Sequence, residues 1–183
     1  SFGSLCADLK DTANQADYLI VTHKEFREAI DDFSLWRESK DLDVFIATVD
    51  EIQREFGNED SSLNETIREY ISYALSNWEK PAPEYLLLAG SVFHVPAWKM
   101  LSNFADIMDI DTISYDHPYS ININHNDIIP DIAVGRFPAR NEQDMWNMIE
   151  KTIRVEDELE PDDYELDIIY LIGKDDYDRF FMN

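Results

Sequence analysis

Short β-branched and aliphatic runs, each followed by a stretch with helical periodicity, constrain this chain more than any other feature. The first run is Asp17-Tyr18-Leu19-Ile20-Val21-Thr22. The second covers residues 43–49, the third is Tyr85-Leu86-Leu87-Leu88-Ala89-Gly90, and Ile132-Ala133-Val134-Gly135 and residues 166–172 complete the series. Runs of this length without polar alternation are strands buried on both faces. Between them, Phe26, Ala29, Ile30, Phe33 and Trp36 fall on one helical face, as do Leu63, Ile67, Tyr70, Ile71, Ala74, Leu75 and Trp78. Strands alternating with amphipathic helices predict an α/β fold, a parallel, doubly wound sheet with helices on both faces and right-handed crossovers.

The helix boundaries have their own signals. Thr22 with Glu25, and Ser62 with Glu65, have the spacing of a capping box. Asp50 is placed to cap a short helix that carries Ile52 and Phe56 and ends near Gly57. Pro81 and Pro83 lie where the second long helix must have stopped. Asn141 opens a helix through Met145, Ile149 and Ile153. Residues 91–126 are less regular; the pattern there predicts a short helix around 96–104 and a strand near 111–115. The acidic stretch Glu160-Pro161-Asp162-Asp163 reads as a linker, dividing a domain of residues 1–160 from the start of a second at 161–183.

Charge narrows the function. The 183 residues carry 39 Asp and Glu against 15 Lys and Arg, a formal charge of −24. That field repels phosphate backbones and anionic lipid surfaces, which argues against nucleic-acid and membrane partners. No apolar run approaches the roughly 20 residues of a membrane span. The single cysteine, Cys6, cannot form an internal disulfide, and its acidic neighbours make it a poor nucleophile.

Ligands of such sheets bind beyond the carboxyl ends of the strands. The candidates there are Thr22 and His23, Asp50, Gly90 to His94, Gly135 to Arg140, and Gly173 to Asp178. The five glycines are scattered and no Walker lysine loop occurs, so the backbone cradle required by dinucleotides, ATP or a flavodoxin-like cofactor is missing. No Gly-x-Ser-x-Gly elbow is present. His23, His94, His117 and His125 are not spaced as zinc ligands. Asp116, Asp127 and Asp131 could gather oxygens around a hard cation such as calcium, or could be ordinary turn and strand-edge residues. Arg136 follows a strand glycine, a position from which it can pair with a buried carboxylate.

The segment Pro130-Asp131-Ile132-Ala133-Val134-Gly135-Arg136-Phe137-Pro138-Ala139-Arg140 resembles the PDIAIGRxPAR signature of the gingipain-type cysteine peptidases. Other motifs follow in family order. Residues 16–23 resemble the opening strand, Trp36-Arg37-Glu38-Ser39-Lys40 the YRxSKG helix end, and Tyr85–Gly90 the YxLLVGD strand. Tyr115-Asp116 with Tyr119 resembles the SDxxY element, and Ile149 to Glu156 the IDKxIxYE helix. Ser91 stands where the family usually has an acidic residue, and Asp41 replaces the glycine after the Ser-Lys pair. The resemblance implies the front part of a secreted or surface cysteine endopeptidase. Its catalytic histidine and cysteine would lie in a caspase-like second part whose first strand is residues 166–172. No catalytic residue is inherited by this chain, no cofactor beyond calcium is implied, and the implied partners are the rest of its own peptidase unit and protein or peptide substrates. The competing expectation is a non-catalytic protein- or calcium-binding module of the same fold.

Overall fold

A computed structural model describes residues 8–101, 112–125 and 128–157. The chain divides into two compact units, Ser1–Ile149 and Glu150–Asn183. The expected boundary near residue 160, the strand at 166–172 and the loop at 173–178 lie outside the described residues, as does Cys6.

Among the described residues, four parallel strands form the main sheet in the order β2-β1-β3-β6. They are β1 (Tyr18–Thr22), β2 (Val44–Thr48), β3 (Tyr85–Ala89) and β6 (Ala133–Phe137). A second, antiparallel pair consists of β4 (Trp98–Leu101) and β5 (Thr112–Tyr115). The helices are α1 (Arg27–Glu38), α2 (Val49–Phe56), α3 (Leu63–Asn77) and α4 (Glu142–Asp157).

The sheet register puts Leu19, Val21, Ala47, Leu86 and Leu88 on one face, where they join Ile52, Phe56, Ile67, Tyr70 and Ala74 of α2 and α3 in the main core. Ile20 and Leu87 point to the opposite face, and both are buried. α1 covers that side: Phe33 packs its ring 5.5 Å from that of Phe137, and Phe26 is fully buried. The chain moves from β1 to β2 in one direction and from β2 to β3 in the other. Helices on opposite faces are therefore what right-handed crossovers require.

Local signals explain most boundaries, with three corrections. Ser62 and Glu65 form the expected capping box at the start of α3, where the Ser62 amide donates to Glu65 Oε2 at 3.0 Å. The hydrogen bond from the Ser62 hydroxyl, and then this amide bond, lower the pKa of Glu65. At α2, however, the cap is Thr48 and not Asp50. The Glu51 amide donates to Thr48 Oγ1 and the Thr48 amide to Glu51 Oε2. Asp50 sits inside the first turn, with its carboxylate 3.0 Å from Lys24 Nζ. Thr22 does not cap either. It is still paired in the sheet, its hydroxyl donates to Ala89 O, and His23 caps the short 3-10 turn Lys24–Phe26 in its place. The third correction is at residues 96–104, where Trp98–Leu101 is strand and not helix. Its four residues pair one-to-one with β5, and short apolar runs carry no periodicity that separates the two states.

Tyr70 lies at the centre of the core, between the rings of Phe56 (5.6 Å) and Trp78 (6.0 Å). Its hydroxyl is buried without a hydrogen-bond partner among the described residues. Burial, reinforced by Glu51 and Glu55, pushes the phenol far above its ordinary pKa. A group whose folded-state pKa is raised holds its stability below the unfolded value and loses it as pH rises beyond, here above about 10. Tyr70→Phe removes an unsatisfied group while keeping the ring. It should be neutral or stabilising by about 1 kcal/mol in urea unfolding, and it should reduce the loss of stability above pH ~10. A second site for stabilisation is Asp41, which closes α1 in the left-handed region at φ 62°. Asp41→Gly relieves that conformation and should raise stability by about 0.5–1 kcal/mol in the same measurement.

Candidate functional site

β1 and β3 are neighbours, and the chain leaves them in opposite directions, β1 toward β2 and β3 toward β6. That makes their carboxyl ends the topological switch point of the sheet. Gly90 ends β3 with φ 142°, and a Cβ there would stand 2.8 Å from His94 Cβ and 3.3 Å from Phe26 Cε2. Only glycine allows the following turn to fold back this closely. In that turn the His94 amide donates to Ser91 O, and Ser91 Oγ lies 2.9 Å from His94 Nδ1.

The turn carries His94 against residues that follow β1. Its ring packs 4.7 Å from Phe26 and 5.4 Å from His23, measured between centroids. Its Nε2 faces Glu25 Oε2 at 3.5 Å, and His23 Nδ1 lies 3.8 Å from the same oxygen. Because His23 Nδ1 accepts the Glu25 amide, the neutral ring carries its proton on Nε2. Ser91, His94 and Glu25 thus form a serine–histidine–carboxylate chain. It is not built for attack on a substrate: Ser91 is 7% exposed, and its oxygen is held inside the turn by the Phe93 amide as well. Sequence reasoning named Glu25 only as a cap partner for Thr22 and not as a site residue; its position two residues after His23 was the available signal.

The same end of the sheet is locked from the other side by Arg136. Its Nε and one terminal nitrogen grip the two carboxylate oxygens of Asp116 at 2.7 and 2.8 Å. The other terminal nitrogen donates to Gly90 O and Val95 O, both at 2.8 Å. Arg136 therefore finds the carboxylate its position called for. Tyr119, fully buried beside this group, donates its hydroxyl to Pro96 O. Burial raises its phenol pKa strongly, with Arg136 acting in the opposite sense.

The three aspartates considered as cation ligands are placed as follows. Asp116 is engaged by Arg136. Asp131 accepts the Asn122 amide on Oδ2 and lies 2.7 Å from His125 Nδ1 through Oδ1. Asp127 lies outside the described residues. Among the described residues, no group of three or more His, Cys, Asp and Glu side chains could hold a metal ion. His117 sits in a 3-10 turn beside Ser120, apart from the His23–His94 pair.

The family model for Peptidase family C25 matches residues 11–181. The chain belongs to Peptidase family C25. Solved structures agree on the fold. The complex of Porphyromonas gingivalis RgpB pro- and mature domains is similar at 20% identity and a TM-score of 0.58, over 75% of this chain and 28% of that one. Dimeric latent PorU from Porphyromonas gingivalis matches at 18% identity and a TM-score of 0.58, over 78% of this chain and 16% of its own. The Arg-specific cysteine proteinase gingipain R matches at 20% identity with the same TM-score, over 81% of this chain and 30% of its own. The chain thus spans less than a third of each of these structures. No curated protein sequence matches it significantly. The resemblance read from the motifs is therefore established as family membership, and the parallel α/β sheet is shared with these structures.

Arg136 and Asp116 are 12% and 24% exposed, so removing one partner strands a poorly solvated charge. Arg136→Met should cost about 3 kcal/mol in thermal or urea unfolding, and Asp116→Asn a comparable amount. The double variant should recover part of the loss, since it leaves no charge unpaired.

Proposed function

We propose that this chain is the front, structural part of a secreted or surface cysteine endopeptidase, with the thiol and its base supplied by sequence outside it. The observation that carries this reading is the family match along nearly the whole chain, combined with a site whose polar groups hold each other. Ser91 is tied into its turn, and Arg136 is engaged by Asp116 and two carbonyls. Such a site is suited to fixing loop geometry at the carboxyl end of the sheet. In this reading the unit buttresses the catalytic part and shapes one edge of the substrate path. Holding reacting groups in a fixed arrangement accounts for a large share of enzymatic rate enhancement, and a rigid neighbouring unit serves that end.

The test is an assay of the purified chain against a panel of fluorogenic peptides under reducing conditions. The expected result is no turnover sensitive to a thiol alkylating agent, and no difference between the native chain and Cys6→Ala. Thiol-dependent cleavage that disappears in Cys6→Ala would show that the chain carries its own nucleophile and would overturn the reading.

A further inference from the structure

An open pocket of about 420 Å³ lies away from the switch point, between the loop that precedes α3, the first turns of α3, and β4. Its apolar wall is Trp98 with Ile123, and its polar wall is Arg68 with Asp60 and Glu69. We propose that this pocket binds a small zwitterion bearing an α-carboxylate and an ammonium group, that is, a free α-amino acid or the termini of a short peptide. The inference does not depend on the peptidase reading.

Three observations point to such a ligand. First, Arg68 has no carboxylate partner among the described residues, in a chain where acidic residues outnumber basic ones by 39 to 15. Its guanidinium lies over the Trp98 ring at 6.0 Å from the centroid. A planar, unpaired guanidinium favours a carboxylate, which it can hold through two parallel hydrogen bonds. Second, Arg68 Nε and Trp98 Nε1 are both buried donors without an acceptor among the described residues. Both side chains line the pocket, and unsatisfied buried donors are uncommon in folded proteins. Third, Asp60 and Glu69 are exposed, and no described side chain holds either carboxylate, whereas the third acidic residue of the lining, Glu65, is committed to capping α3.

The charge balance selects among ligands. A simple anion such as phosphate would meet Arg68 but also the field of Asp60, Glu65 and Glu69. A simple cation would meet the carboxylates but also Arg68. A zwitterion places one charge against each wall and lays its side chain on Trp98 and Ile123. The volume is in the range of small-molecule sites.

The experiment follows the Trp98 indole N–H resonance of the ¹⁵N-labelled chain during titration with leucine, the dipeptide Ala-Leu, N-acetyl-Ala-Leu and Ala-Leu amide. The expected result is a saturating shift with leucine or Ala-Leu, weakened about tenfold or more when either terminus is blocked and in Arg68→Gln. Preference for leucine would name free amino acids as the source, and preference for Ala-Leu would name peptide termini; both support the proposal. If Arg68→Gln does not fold, Glu69→Gln, on an exposed residue, should show the same loss. Absence of a saturating shift with leucine and Ala-Leu up to about 10 mM, or equal binding of the blocked peptides, would overturn it.

Discussion

The guanidinium of Arg136 ties together segments that are far apart in sequence. It reaches from β6 to the carbonyl that ends β3, to the carbonyl of Val95 in the next turn, and to Asp116 beyond β5. Each of these groups would be costly to leave without a partner once the surrounding core has excluded water. One side chain therefore fixes the edge strand, the glycine turn and the antiparallel pair relative to one another. The register of the sheet makes this geometry available: Arg136 stands opposite Leu88 and on the same face, so its stem runs along the core while its head reaches the strand ends.

The second device at that end is the close fold-back at Gly90. It brings Ser91 and His94 against His23, Glu25 and Phe26, joining the loops after β1 and β3 across the switch point. A position that in other α/β proteins opens into a ligand crevice is here filled by the protein's own side chains. The proposed supporting role rests on that arrangement. On a different part of the molecule, the pocket at Trp98 and Arg68 brings together groups of both signs that no described side chain holds.

Much of this was legible from residue patterns. The apolar runs that became β1, β2 and β3 and the helical stripes specified the parallel sheet because both depend on burial, which a one-dimensional period records directly; the run that became β6 is half-buried to exposed. The capping box at Ser62 and Glu65 and the helix opening at Asn141 were equally readable, since both depend on contacts within four residues. Two of the three errors share a cause, whereas the cap of α2 at Thr48 was a local signal that was missed. Thr22 carries the same cap spacing, but the sheet claimed it first, and its hydroxyl turned to Ala89. Residues 98–101 became a strand because a partner fourteen residues or so away in the chain offered its edge. The site shows the same limit. Arg136 could be expected to seek a carboxylate, but its choice of Asp116 depends on how β5 is placed, and Glu25 gains meaning only when His94 folds onto it.

The measurement that tests the central role of Arg136 most directly is native-state hydrogen exchange of Arg136→Gln, compared residue by residue with the native chain. If the guanidinium locks the strand ends, the amides of Gly90, Ser91, Val95 and Tyr119 should exchange much faster in the variant, while those of Leu19, Ile20 and Ile46 in β1 and β2 should keep most of their protection. Unchanged exchange at Gly90, Ser91, Val95 and Tyr119 would contradict the account, because it would mean that the carboxyl end of the sheet is held together without its arginine.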